Sequence, residues 1–334
     1  MRVTARRTCR PHGNFCDAHH QLAGWHRVTT NEFPPAHTAA STAVPFLLGN
    51  VAHSRDYRFG HAPTVGALGY CLGMNLNGAR VLVTGASRGI GEAIARAAAE
   101  RGARVIGVAR SARALGAAMQ SINGVAFPCD LSVESERADL VGRLESIHGP
   151  IDVVVNNAGV DDTKLFAQAS ASDVQRVITL NQVVPIELMR QAVPLMRSRG
   201  RGHVVNISSL AAAGGFAGMT LYCSSKAGLS GFHRVLRHEL KGSPIGLSLV
   251  EIGPIPTDML ANVKNVRAAE RMFARLRRLQ LLPEIPRERV ARAVCEAIER
   301  NTAHVCLPKR AKIYPLLVGL PQRIVNMITA DIKR

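Results

Sequence analysis

From Arg80 onward, short apolar runs alternate with longer stretches of helical period, and this alternation constrains the fold more than any other feature. Val81–Thr84 leads to a helical stretch at Ile90–Arg101, Arg104–Val108 to Ala112–Gln120, and Val125–Pro128 to Glu134–His148. Ile151–Val155 leads to Ser172–Arg199, and His203–Ile207 to Leu221–Lys241. Ile245–Glu251 follows, then a helix at Glu288–Arg300 and a last strand near His304–Leu307. The apolar runs are continuous rather than alternating, as strands covered on both faces require. Such a series folds as a parallel sheet between two helical layers. No linker interrupts 80–310, so the expected class is α/β: a single doubly wound parallel sheet with helices on both faces.

Three segments are expected along the chain: an N-terminal extension at 1–73, the α/β domain at 74–310 and a basic amphipathic tail at 311–334. Residues 1–73 differ from the rest. They hold seven of the twelve His, three of the seven Cys and the only Trp, with no helical or strand period. Their composition offers little to fold around, so the expectation is a disordered or artefactual extension, with translation starting naturally at Met74. An Arg-rich, acid-poor transit peptide is the alternative. In the tail, Lys309, Arg310 and Lys312 precede Ile313, Leu316, Leu317, Leu320, Ile324, Met327 and Ile328. This pattern suits a neighbouring subunit, the mouth of a substrate site or peripheral contact with a membrane surface.

The net charge of +18 favours anionic partners. The basic residues are dispersed and aromatics make up only 4%, so no stacking groove for nucleic acid is indicated and nucleic-acid binding is not expected. The seven Cys form no CxxC pair, which argues against a disulfide framework and a zinc site. No metal site is expected, and the reducing cytoplasm is the expected compartment. No apolar run approaches the roughly 18 residues of a membrane span.

The first strand ends in Thr84-Gly85-Ala86-Ser87-Arg88-Gly89-Ile90-Gly91. Glycines here allow a tight turn, close approach to a pyrophosphate and close packing of the next helix, whose N-terminus supplies amide donors. The second strand ends in Arg110, where an NAD-binding chain carries an acid for the ribose 2′-hydroxyl. With Arg88 in the loop, two guanidiniums suit a 2′-phosphate, so NADP (NADPH) is expected rather than NAD. Farther on, Tyr222 and Lys226 lie four apart and share one face of a helix. A nearby ammonium favours the phenolate, so the phenol is expected to exchange its proton below its reference pKa of about 10.

In order and spacing, these motifs resemble the short-chain dehydrogenase/reductase family. The resemblance covers about 78–310 and rests on the glycine loop, Asp130, Asn156-Asn157-Ala158-Gly159, Asn181, Ser209, Tyr222, Lys226 and Gly253-Pro254-Ile255-Pro256-Thr257. It implies a Rossmann-type fold and a catalytic set of Asn181, Ser209, Tyr222 and Lys226. Ser209 would polarise the carbonyl and Tyr222 would donate the proton. Lys226 would hold the nicotinamide ribose, and Asn181 a relaying water. The cofactor set it implies is Gly85, Ser87, Arg88, Gly89, Ile90, Gly91, Arg110, Asp130, Leu131, Asn157, Ala158, Gly159, Tyr222, Lys226, Gly253, Ile255 and Thr257. Asp130 is expected near the adenine, and Asn157 with its neighbours near the adenosine ribose. Ile252-Gly253-Pro254 departs from the family's usual Pro-Gly order, which puts the path of that loop in question.

The expected activity is an NADP-dependent carbonyl or 3-oxoacyl reductase, passing hydride between nicotinamide and an apolar ketone or secondary alcohol. The rivals are an NAD-linked hydroxysteroid or hydroxyacyl dehydrogenase and a non-catalytic, cofactor-sensing regulator; the complete Asn-Ser-Tyr-Lys set counts against the regulator. A homodimer or homotetramer is the expected assembly. Within 263–282, Met272, Phe273, Leu276 and Leu279 alternate with Arg267, Arg271, Arg275 and Arg278 at helical spacing. This reads as a lid helix packing its apolar face on the body, or as a lid whose Arg row attracts an anionic acyl carrier.

Overall fold

The computed structural model describes residues 73–255, 266–279, 283–311 and Met327. These residues belong to one unit, His61–Arg334. Seven parallel strands form one sheet in the order β3-β2-β1-β4-β5-β6-β7. They are β1 (Arg80–Thr84), β2 (Arg104–Ala109), β3 (Val125–Pro128), β4 (Val153–Asn156), β5 (Gly202–Ser209), β6 (Ile245–Ile252) and β7 (His304–Leu307). The chain moves outward from β1 to β3 and then returns to β4 on the other side of β1. That reversal opens a crevice between the carboxyl ends of β1 and β4, where ligands bind in open α/β sheets.

Successive residues of each strand feed opposite layers, which is why the apolar runs are continuous. Val81, Val83, Val105, Val153, Val155, Val205, Ile207, Val250 and Ile252 pack in one cluster. Leu82, Ile106, Val154, Val204 and Leu247, at the alternate positions of the same strands, pack in the other. The first layer is covered by α1 (Gly89–Ala99) and α2 (Ala112–Gln120), and by α9 (Arg287–Glu299), which follows α8 (Arg267–Arg278). The second is covered by α4 (Leu140–His148), α6 (Val184–Ser198) and α7 (Thr220–Glu239).

Two expected helices are interrupted. The stretch Glu134–His148 divides into the short α3 (Glu134–Arg137) and α4, because Asp139 adopts a left-handed φ of 47°. The long Ser172–Arg199 helix is α5 (Ala171–Ile178) and α6 joined through a π-turn at Thr179–Val183. A π-turn adds a residue to the helical repeat and so re-aims the side chains it contains. Here it delivers Asn181, fully buried, to the inside.

Residues 1–72, nearly all of the expected extension, lie outside the described residues, as does the tail beyond Ala311 apart from Met327. The expected cofactor contact Thr257 also lies outside them. Among the described residues, no helix is long and apolar enough to cross a membrane.

Candidate active site

The crevice between β1 and β4 is built by side chains holding backbone. Thr84 Oγ1, at the end of β1, donates to the Val155 carbonyl (3.2 Å). The same oxygen accepts the amides of Asn157 and Ala158, each at 3.0 Å. The Asn157 amide returns the tie, donating from Nδ2 to the Thr84 carbonyl at 2.9 Å. Asn157 therefore stitches the Asn-Asn-Ala-Gly turn to the glycine loop, a structural task distinct from the ribose contact the resemblance implies.

The glycines answer to this closeness. Gly85 and Gly89 have φ of 68° and 63°, a region costly for side chains carrying Cβ. A Cβ on Gly85 would lie 2.9 Å from Asn157 Nδ2 and 3.0 Å from Ala158 Cα. A Cβ on Gly91 would collide with the Gly85 carbonyl oxygen and the Asn157 amide. The result is a cradle at the N-terminus of α1, shaped for a pyrophosphate. Ser87 is half-buried in its loop, Ile90 sits in the first turn of α1, and Arg88 is exposed immediately before that helix.

Arg110 is exposed at the end of β2. Asp130 is near enough to feel its charge. Burial raises the Asp130 pKa, but hydrogen bonds from Ser132 and the Arg110 charge outweigh it and hold the carboxyl below its ordinary range. Its Oδ1 accepts the Ser132 amide at 2.9 Å and the Ser132 hydroxyl at 2.6 Å. Leu131, next to it, is buried in the second cluster. Across the crevice, Gly253 donates to the Leu307 carbonyl (2.8 Å), and Ile255 is buried in the first cluster. A dinucleotide fits these residues: the cradle leaves no room for Cβ atoms at Gly85 and Gly91, and the Arg88 and Arg110 guanidiniums are exposed near it.

Ser209 closes β5, and Tyr222 and Lys226 face it from α7. The Ser209 hydroxyl accepts the Ala211 amide (3.1 Å) and donates toward the Ile252 carbonyl (3.3 Å), and it stands close enough to the Tyr222 phenol to favour its ionised form. Its neighbour Ser208 is 1% exposed and bonded to Ser230 Oγ at 2.8 Å, which keeps it inside the fold. Lys226 is also buried, its Nζ donating to the Ile207 carbonyl at 3.0 Å.

The electrostatics differ from the sequence expectation. Burial raises the Tyr222 pKa well above its ordinary value, against the pull of Ser209; the nearby Asp161 charge adds to the rise. Burial also pushes the Lys226 ammonium down to about 8. The expected depression of the phenol by the lysine is thus reversed, because desolvation penalises both charged forms. Cys223 is pushed up to about 11, again mainly by burial, and stays a protonated thiol near neutrality.

Asn181 clamps the loop after Gly159. Its Oδ1 accepts the Val160 amide (2.8 Å), and its Nδ2 donates to the Val160 carbonyl (2.9 Å) and to Ser225 Oγ (3.0 Å). A Cβ on Gly159 would sit 2.9 Å from Asn181 Oδ1 and 3.6 Å from Lys226 Nζ, so the clamp adjoins the lysine. A second tie, from the Lys164 amide to the Gly218 carbonyl (2.9 Å), holds this loop beside the segment before Tyr222.

Over the site, α8 packs Met272, Phe273 and Leu276 against Leu210, Phe216, Met219 and Tyr222. The Phe216 and Phe273 rings stack at 5.4 Å. Arg267, Arg271, Arg277 and Arg278 line its exposed side. The helical spacing had indicated both faces, but Leu279, expected on the apolar one, is exposed, and Arg275, expected on the basic one, is half-buried. Sequence reasoning missed Thr84 and Asp161. Thr84 was detectable as a hydroxyl at the strand end before a glycine turn.

Comparison with known proteins agrees with this arrangement. A family model described as short chain dehydrogenase matches residues 79–268. The ketoacyl reductase HetN of Nostoc sp. is 39% identical over 180 residues, covering 52% of this chain and 63% of that protein. The 3-oxoacyl-[acyl-carrier-protein] reductase FabG of Vibrio harveyi is 38% identical over 191 residues, covering 56% and 77%. Among solved structures, a metagenomic short-chain oxidoreductase in complex with NADP superimposes with a TM-score of 0.57 at 30% identity, covering 70% of this chain and 96% of that one. With its doubly wound sheet and the glycine cradle between β1 and β4, the chain belongs to the short-chain dehydrogenase/reductase family of NAD(P)-dependent oxidoreductases.

Proposed function

We propose that this chain reduces an apolar ketone of 3-oxoacyl or related carbonyl type to a secondary alcohol, using NADPH in preference to NADH. The observation that carries this reading is the juxtaposition of Ser209 and Tyr222 at the carboxyl end of β5, beside buried Lys226. A bound reduced nicotinamide supplies the hydride for such chemistry. The chain's own residues supply the rest. The Ser209 hydroxyl polarises the carbonyl oxygen. Tyr222 is protonated near neutral pH and holds the proton that the forming alkoxide takes up. Lys226 spends one donor on Ile207; its remaining donors suit a ribose hydroxyl, and its charge steadies the tyrosinate left behind. Asn181 acts by fixing the Val160 backbone next to Lys226.

The NADP preference rests on Arg88 and Arg110, both exposed near the cradle, and on the NADP bound by the metagenomic relative. The 3-oxoacyl class is supported by the names of two relatives, and a carrier-bound substrate by the row of Arg residues on α8. NADPH oxidation is measured with a panel of ketones and acyl-carrier thioesters, wild type against Tyr222→Phe. Turnover lost in the variant supports the reading. Equal efficiency with NADH and NADPH refutes the cofactor preference. An unchanged kcat/KM for carrier-bound substrate in Arg271→Glu with Arg275→Glu refutes the carrier.

A further inference from the structure

Glu251 is 1% exposed, a carboxylate inside a strand whose every residue is buried. A charge in such a place is costly unless it is paired and hydrogen-bonded. Glu251 has two hydrogen-bonding partners, His304 and Ser230. Its Oε2 lies 2.8 Å from His304 Nε2 on neighbouring β7, and its Oε1 accepts the Ser230 hydroxyl of α7 at 3.2 Å. Ser230 Oγ lies 2.8 Å from Ser208 Oγ; with the Ser230 proton given to Glu251, Ser208 is the donor in that bond, and the Lys226 carbonyl stands beside it at 3.3 Å. The chain of bonds runs from the sheet edge to Ser208, next to the catalytic end of β5.

The register gives this chain a direction. Ser208 pairs with Glu251, and Ser209 with Ile252, whose carbonyl receives the Ser209 hydroxyl. On α7, Tyr222, Lys226 and Ser230 are spaced by four and share one face. Ser230 is therefore one turn beyond Lys226 on the stripe that meets the sheet. Holding Ser230 fixes how far α7 is rotated and how far it slides along β5.

Resting on the reductase reading above, we infer that Glu251 is a positioning residue: through Ser230 and Ser208 it sets the seat of α7 that brings Tyr222 against Ser209. Mobility there acts on the reacting geometry, since misplacement by about 1 Å can cost on the order of a hundredfold in rate.

Steady-state NADPH-dependent ketone reduction by the full chain tests it. Glu251→Gln keeps an oxygen for Ser230, so kcat stays within about threefold of wild type, whereas Glu251→Met loses about tenfold or more. The KM for NADPH moves less than about twofold in both, because the glycine cradle is on the other side of the sheet's switch point. Glu251→Met with wild-type kcat overturns the inference, and so does a fall in kcat matched by an equal rise in the NADPH KM, which marks general loosening. If Glu251→Met does not fold, Ser230→Ala carries the test: an unchanged melting temperature with a kcat lowered about threefold or more supports the inference, and an unchanged kcat overturns it. Absence of ketone reduction by the wild type overturns the reductase reading, and the inference with it.

Discussion

Lys226 Nζ lies 5.9 Å from the centroid of the Tyr222 ring and donates a hydrogen bond to the Ile207 carbonyl. The ammonium thus stands beside the ring, where a cation is attracted by the π face. Both groups are buried, and each resists its charged form. The protein alone holds a protonated phenol next to a weakened ammonium.

Replacing the phenol removes the proton donor while leaving the ring. Tyr222→Phe should lower kcat for ketone reduction by about two to four orders of magnitude, the usual yield of a positioned acid. NADPH affinity, read by fluorescence titration, should change little. Ser209→Ala should lower kcat by a smaller factor, because only polarisation is lost.

Lys226 makes stability depend on pH. Its folded pKa of about 8 lies below the ordinary 10.5, so the unfolded chain holds the proton more tightly. The penalty for burying the ammonium is fully present below pH 8, fades as pH rises from 8, and is gone above the unfolded value. Lys226→Met should therefore gain most in relative stability near pH 6.5, and the gain should shrink by pH 9.5. Denaturant melts at the two pH values measure this, and activity should be lost at both.

Arg110 is exposed at the end of β2 with Asp130 within reach of its charge. Arg110→Asp should swing the ratio of kcat/KM for NADPH over NADH toward NADH by about tenfold or more, since it replaces a charge-assisted partner with a repelling one. Paired titrations of the two cofactors decide it. An unmoved ratio leaves Arg110 as a solvated surface residue.

Gly91→Ala tests the cradle. The added methyl meets the Gly85 carbonyl and the Asn157 amide, backbone and a side chain already pinned. The expected cost is about 1–3 kcal/mol of folding stability, as for other overpacked sites. A thermal melt reads that cost, and NADPH titration should show weaker binding because the loop must shift.

Much of the architecture was legible because each strand carries enough apolar residues to feed two layers, a pattern local to four or five positions. The glycine loop, Ser209, Tyr222 and Lys226 were legible through a resemblance in order and spacing. The break at Asp139 was not, since an aspartate with a left-handed φ looks like any helical acid in sequence. The Glu251 network was equally hidden, because its partners Ser230 and His304 are 21 and 53 residues away. The sign of the Tyr222 shift depends on burial, which only the packing of α7 and α8 on the sheet creates.

The π-turn at Thr179–Val183 makes this region intolerant of changes in length. The π-turn holds one residue more than a regular turn, so removing one residue there and restoring regular winding would leave α5 and α6 nearly aligned but re-aim the side chains between them. Asn181 would leave the Val160 backbone, and the loop carrying Asp161 and Lys164 would keep only its tie to Gly218 among the two described above. A single-residue deletion in this stretch should therefore harm the protein far more than any substitution on the outer face of α5, even though no reacting atom is removed.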